Sequence, residues 1–185
     1  MSTQLPPLRD VISRHGLRAK KSLGQHFLLD LNLTQRIARA AGNLEGRHVV
    51  EVGPGPGGLT RSLLESEAAS VTAIEKDERS TLALQELEEA YPNRLKIIAA
   101  DALETNLAEL VPAPRKIVSN LPYNIGTPLL LNWLRQAQEW EGMTLMFQKE
   151  VADRLAAQPG SKAYGRLAII TQWLCDVRSE FNVSP

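Results

Sequence analysis

The sequence predicts an α/β fold in which a mostly parallel sheet is covered by helices on both faces. Short β-branched runs alternate with helix-length segments along most of the chain, and parallel strands need such crossovers between them. The first run, His48 to Val52, enters a glycine cluster directly, as a strand does before a tight turn and a helix. With 185 residues, 43% of them hydrophobic, the chain is long enough for one domain with a sizeable core.

The elements follow in order. Residues 1–16, with Pro6 and Pro7, are expected to be a disordered tail, and 17–185 the folded domain. Asp30 can cap a helix over 31–41, which Gly42 ends. After the strand at 48–52, a helix runs through Leu59, Leu63 and Leu64. A second strand is expected at 71–75 and a helix at 78–90 with Leu82, Leu84 and Leu87 facing inward. Strands at 95–100 and 116–119 come next. Thr127-Pro128 reads as an N-cap with proline at the first helical position, opening a helix to about residue 138. A fifth strand is expected at 144–147, helices at 149–157 and 166–174, and a further strand at 176–183. That last strand has barely begun when the sequence stops at Pro185, which predicts a truncated chain.

Composition excludes several classes. The 21 Lys and Arg balance 21 Asp and Glu, so overall charge predicts no partner. A single cysteine, Cys175, excludes an internal disulfide framework and fits a reduced, cytoplasmic setting. Scattered His15, His26 and His48 with that one thiol cannot close a zinc site, so no metal is expected. No apolar run reaches the roughly 20 residues of a membrane span, and no signal-peptide core opens the chain. Charge is nevertheless uneven. Residues 9–21 hold Arg9, Arg14, Arg18, Lys20 and Lys21 against Asp10, whereas 65–109 is strongly acidic. A positive arm beside an acidic body can bind a polyanion through one face, although a solvated tail has the same composition.

Gly53, Gly55 and Gly58 fit G-x-G-x-x-G between a strand and a helix. Alone, this pattern fits a plain surface turn or a dinucleotide site as well. Three carboxylates narrow it. Glu75 ends the second strand where a ribose-binding acid belongs, Asp101 ends the third near the place of an adenine amine, and Glu51 precedes the turn. So many acids suit adenosine with a cationic tail, such as S-adenosylmethionine, better than a pyrophosphate. The competing role for Glu75 and Asp101 is helix capping.

After the fourth strand comes Asn120-Leu121-Pro122-Tyr123, a rigid loop at the mouth of the sheet. The Asn120 side-chain oxygen and the Leu121 carbonyl can accept hydrogen bonds from an amino group, and Tyr123 offers a face for stacking a base. That chemistry suits methylation of an aromatic amine. Its delocalised lone pair needs localising and aligning more than it needs a strong base.

These motifs, with Lys20-Lys21-Ser22-Leu23-Gly24-Gln25-His26-Phe27-Leu28 and the runs 147–155 and 159–167, resemble the rRNA adenine dimethyltransferases from about Leu17 to Pro185. The resemblance implies a Rossmann-like methyltransferase fold that contacts S-adenosylmethionine at His26, Leu28, Gly53, Glu75, Asp101 and Asn120. It makes Asn120, Leu121, Pro122 and Tyr123 the catalytic loop. It implies a monomer that dimethylates two adjacent adenines in the 3′-terminal hairpin loop of 16S rRNA, within the small ribosomal subunit or its precursor. It also implies a small helical C-terminal domain beyond residue 185. Many relatives carry Asn where this chain has His26.

Lys20, Lys21, Lys149, Arg154, Lys162 and Arg166 are candidates for a phosphate-contacting RNA rim, or else ordinary solubilising charge. Phe147 either faces Tyr123 across a flipped base or belongs to the core. The alternatives are a large-subunit (23S) methyltransferase of the macrolide-resistance type, a DNA adenine methyltransferase, an assembly factor whose binding outweighs its catalysis, and a nicotinamide oxidoreductase.

Overall fold

The computed structural model of the chain describes residues 5–17 and 26–183. Five strands, β1 (His48–Val52), β2 (Ser70–Glu75), β3 (Leu95–Ala99), β4 (Arg115–Asn120) and β5 (Gly142–Met146), form one sheet in the order β3-β2-β1-β4-β5. Every pairing is parallel. The helices are α1 (Leu8–Arg14), α2 (Leu31–Ala40), α3 (Gly58–Leu64), α4 (Glu78–Ala90), α5 (Gly126–Leu134), α6 (Lys149–Leu155) and α7 (Arg166–Leu174). None is long and apolar enough to cross a membrane.

The strands bury side chains on both faces, which is why they read as continuous apolar runs. On one face Val49, Val71, Ala73 and Val118 meet Ile37 of α2, Leu63 of α3 and Leu84 of α4. On the other, Val50, Val52, Ile74 and Ile117 meet Leu129 and Trp133 of α5. The chain winds outward through β2 and β3, then crosses back past β1 to β4. The carboxyl ends of β1 and β4 therefore flank the switch point, where an open α/β sheet leaves a crevice.

The expected capping of α2 holds: Asp30 accepts from the Asn32 amide at 2.8 Å, and Gly42 follows with φ +72°. Helix α4 has the expected bounds, but Leu82 is 48% exposed while Leu84 and Leu87 are buried. Residues two apart sit about 200° apart around a helix, so Leu82 and Leu84 cannot share a face, and Ala83 turns inward instead. Helix α5 starts one residue before Thr127, without a side-chain cap. The Pro122 carbonyl accepts from Ile125 and Gly126 at 3.2 and 3.0 Å, so the preceding loop opens the helix. The helix ends at Leu134, ahead of the expected 138, and a 3₁₀ turn follows at Ala137–Glu139.

Two expectations are corrected. Within the tail expected to be disordered, residues 8–14 form α1, with Leu8 and Val11 buried. An i, i+3 apolar pair on so short a helix is a faint pattern, yet it suffices here. Val11 joins Leu17 and Ala83 of α4, Arg14 makes two 3.0 Å bonds to Glu86, and Arg61 donates to the Pro6 carbonyl at 2.7 Å. Residues 176–183 form no ladder with the described strands, so the expected further strand is absent among them. Phe181 instead packs toward α2 beneath the Arg36 guanidinium, 3.8 Å from its ring centre.

Candidate active site

Three segments converge at the switch point. The turn after β1 carries the glycines. The loop after β4 carries Asn120 to Tyr123. A strap formed by residues 26–29 crosses both. Gly58, the first residue of α3, has no room for a side chain, because a Cβ there would stand 2.2 Å from the Leu28 carbonyl oxygen. Gly55, at φ +56°, packs under Phe27, whose ring would lie 3.0 Å from an added Cβ. At the other end of the strap, the Asn120 amide Nδ2 donates to the His26 carbonyl at 2.9 Å. This assignment leaves Asn120 Oδ1 as an acceptor. The described residues make no hydrogen bond to that oxygen or to the Leu121 carbonyl.

Between these segments lies a cavity of about 60 Å³, lined by the strap residues His26, Phe27 and Leu28, the turn at Gly53 to Pro56, Glu51, Glu75 and the loop at Asn120 to Pro122. It would hold about two waters, whereas a nucleoside needs a cleft of roughly 300 Å³ or more. Phe27 lies along its Gly55 side.

Glu75 is buried at the end of β2 and organises the turn. One oxygen accepts from the Lys76 and Asp77 amides at 2.8 Å each, the other from the Gly55 amide at 3.2 Å. Burial raises its pKa, and those three amides pull it back. Oε1 is filled by its two amides, and Oε2, with only the Gly55 amide, keeps acceptor capacity.

Glu51 is 2% exposed, and its buried Oε2 has no hydrogen-bond partner among the described residues. Burial pushes this carboxyl up to about 8 and the nearby Glu75 charge adds to the rise; the Thr60 hydroxyl moderates it without a bond of good geometry. A buried carboxyl lining a cavity could pair with a cationic group there only on giving up its proton. It also has a cost in stability. Between pH 4.5 and about 8 the folded chain keeps a proton that the unfolded chain has lost, so stability falls as pH rises through this window and levels off above it. Glu51→Gln should therefore flatten the decline in Tm between pH 5 and pH 8. Parallel Tm profiles for the two proteins would contradict this account of Glu51.

The expected donor-site residues His26, Leu28, Gly53, Glu75 and Asn120 all line this one cavity, and Asp101 does not. Asp101 lies two residues past the end of β3, where it accepts from Lys76 Nζ at 2.6 Å and from the Leu103 amide at 2.9 Å. The hydrogen bond from Lys76 holds its carboxyl below the usual range. Tyr123 stands at the mouth, 39% exposed, with its ring centre 4.9 Å from that of His26. Phe147 follows β5 and packs against Gly126 at the start of α5, and Met146, which precedes it, is in register with Asn120.

The candidate RNA contacts are less concentrated. Lys149 pairs with Asp153 at 2.7 Å and Arg154 with Glu150 at 2.5 Å along α6, while Lys162 and Arg166 are exposed. Exposed i, i+4 pairs are weak and exchange readily for phosphate. Lys20 and Lys21 lie outside the described residues.

Glu51, read from the sequence as one of three carboxylates around the glycine turn, does line the cavity, whereas spacing alone gives no sign that Phe27 does. Phe27 sits inside a motif legible in the sequence, but nothing local shows that it reaches the glycine turn 28 positions away.

Comparison with known proteins agrees with this arrangement. Residues 16–183 match the family described as ribosomal RNA adenine dimethylase. A ribosomal RNA small subunit methyltransferase A from Paramagnetospirillum magneticum is 64% identical over 97% of this chain and 64% of its own length. The counterpart from Rhodospirillum rubrum is 59% identical over 98% of this chain and 63% of its own length. The chain thus spans just under two thirds of these curated relatives. Among solved structures, a dimethyladenosine transferase from Plasmodium falciparum superposes with TM-score 0.69 at 30% identity, covering 80% of this chain and 52% of that one. A 23S rRNA methyltransferase, ErmE, gives 0.63 at 31% identity, covering 79% and 55%. The chain belongs to the ribosomal RNA adenine dimethylase family.

Proposed function

We propose that this chain is the catalytic part of an S-adenosylmethionine-dependent enzyme that dimethylates the exocyclic amines of two adjacent adenines in the 3′-terminal hairpin loop of 16S rRNA. It works as a cytoplasmic monomer on the small ribosomal subunit or its precursor. One observation carries this reading: the acceptor oxygens of Asn120 and Leu121, unbonded among the described residues, stand beside a cavity lined also by Glu75 and Glu51.

When bound, the donor supplies an electrophilic methyl on a sulfonium. Glu75 accepts from the ribose hydroxyls and Glu51 faces the ammonium of the cationic tail. Asp101 takes the donor's adenine amine once Lys76 swings out to solvent. Asn120 Oδ1 and the Leu121 carbonyl accept the two N–H groups of the target amine and localise its lone pair toward the methyl. A donor held there would supply its methyl to that nitrogen, leaving the C–S electron pair on sulfur, and the proton displaced from the amine would pass to water. Pro122 keeps the loop rigid, and Tyr123 stacks the base, which costs less to extrude from a loop than from a duplex. Lys149, Arg154, Lys162 and Arg166, with Lys20 and Lys21, bind the surrounding phosphates.

The test is methyl transfer from radiolabelled S-adenosylmethionine to unmethylated small subunits, with large subunits as the control. Label is expected only in the small subunit, at two adjacent adenines. Label in the large subunit alone would favour the second reading, a 23S methyltransferase, to which the structural likeness to ErmE lends some weight. The 64% identity to a small-subunit enzyme outweighs it.

A further inference from the structure

The Tyr123 face available for stacking a base is already occupied by the chain itself. The His26 imidazole sits over that ring at 4.9 Å and 36°, too close for a base to slide between them. Among the described residues the imidazole makes no hydrogen bond, and the Tyr123 ring is its recorded side-chain contact. Its backbone carbonyl is meanwhile fixed by Asn120, the residue whose other amide atom faces the target amine. We propose that His26 is a positioning residue that caps the Tyr123 stacking face and is displaced when the acceptor adenine arrives.

This inference rests on the acceptor-loop reading above. Two consequences follow from the geometry. The cap keeps an exposed aromatic platform at the mouth of the site from stacking indiscriminately on other flat groups, so only a base that also satisfies Asn120 and Leu121 repays its removal. It also links the two halves of the site. His26 and Phe27 are adjacent, one on Tyr123 and the other on Gly55 in the donor cavity, so moving the strap from either side disturbs the other. Coupling of this kind is reciprocal.

The test uses a short RNA hairpin carrying 8-vinyladenine at the target position of its loop, a fluorescent base that keeps the 6-amino group and is quenched when it stacks on an aromatic ring. Tyr123→Ala should abolish the protein-induced quench. His26→Ala should tighten hairpin binding roughly 2- to 12-fold, the worth of one aromatic pair. His26→Phe should restore the wild-type affinity, and His26→Ala should give no tightening when Tyr123 is also alanine. Unchanged or weaker binding by His26→Ala, with the quench still dependent on Tyr123, overturns the cap alone. So does tightening that persists without Tyr123. A quench that survives Tyr123→Ala overturns the acceptor-loop reading itself, and the cap with it.

Discussion

Asn120→Ala should lower the rate of methyl transfer about 10²- to 10³-fold, the usual cost of removing one preorganised polar group aimed at the reacting atoms. The amide has two separable roles. Nδ2 ties down the strap through the His26 carbonyl, and Oδ1 is the atom proposed to accept from the target amine. Losing the first weakens one hydrogen bond and should cost donor affinity about tenfold at most. Losing the second removes half of the grip on the amine. Asn120→Asp separates them, because it keeps acceptor oxygens but sets a negative charge against the His26 carbonyl. It should retain more of the rate than alanine while loosening donor binding. Single-turnover rates alongside calorimetric donor titration distinguish these outcomes. A rate within a few-fold of wild type for Asn120→Ala would remove Asn120 from the chemistry.

Glu75→Ala should have a comparably large effect, and on binding. Its carboxylate holds the amides of Gly55, Lys76 and Asp77, so truncation leaves three donors to find new partners and lets the glycine turn relax. Charged hydrogen bonds are worth about 1.5–3 kcal/mol each, so donor affinity should fall by at least about 100-fold. At a concentration of S-adenosylmethionine about 100 times the wild-type Kd, the rise in Tm should shrink to a small fraction of the wild-type shift. Glu75→Gln keeps the shape and one acceptor oxygen but places an N–H₂ against backbone amides, and should lie in between. Donor affinity unaltered by Glu75→Ala would show that the ribose lies elsewhere.

Much of the scaffold was legible because its determinants are local. The bounds of β1 and α4 follow from β-branched runs and cap residues a few positions apart, as does the Asp30 cap. The carboxylate after β2 and the glycine turn after β1 were likewise legible as one site, since parallel strands bring their carboxyl ends together. What stayed hidden depends on long-range placement. The bond from Asn120 to His26 spans 94 residues, and no periodicity records it. Helix α1 is too short for its apolar pair to stand out from a proline-flanked tail, and its stability comes from α4 and from Arg14 on Glu86. Asp101 shares the sheet edge with Glu75, but its partner Lys76 sits on the neighbouring turn and draws it away from the cavity. The packing of Phe27 on Gly55 is equally invisible in sequence, because it joins residues 28 positions apart.

The account stands on where donor and acceptor meet, and a crystal structure of this chain with S-adenosylmethionine tests that most directly. The expected density places the ribose hydroxyls on Glu75 and the ammonium near Glu51. Phe27 should have moved off Gly55, and the transferable methyl should point toward Asn120 Oδ1 and the Leu121 carbonyl. A donor bound away from the ends of β1 and β4, or one whose methyl turns its back on that loop, would contradict it.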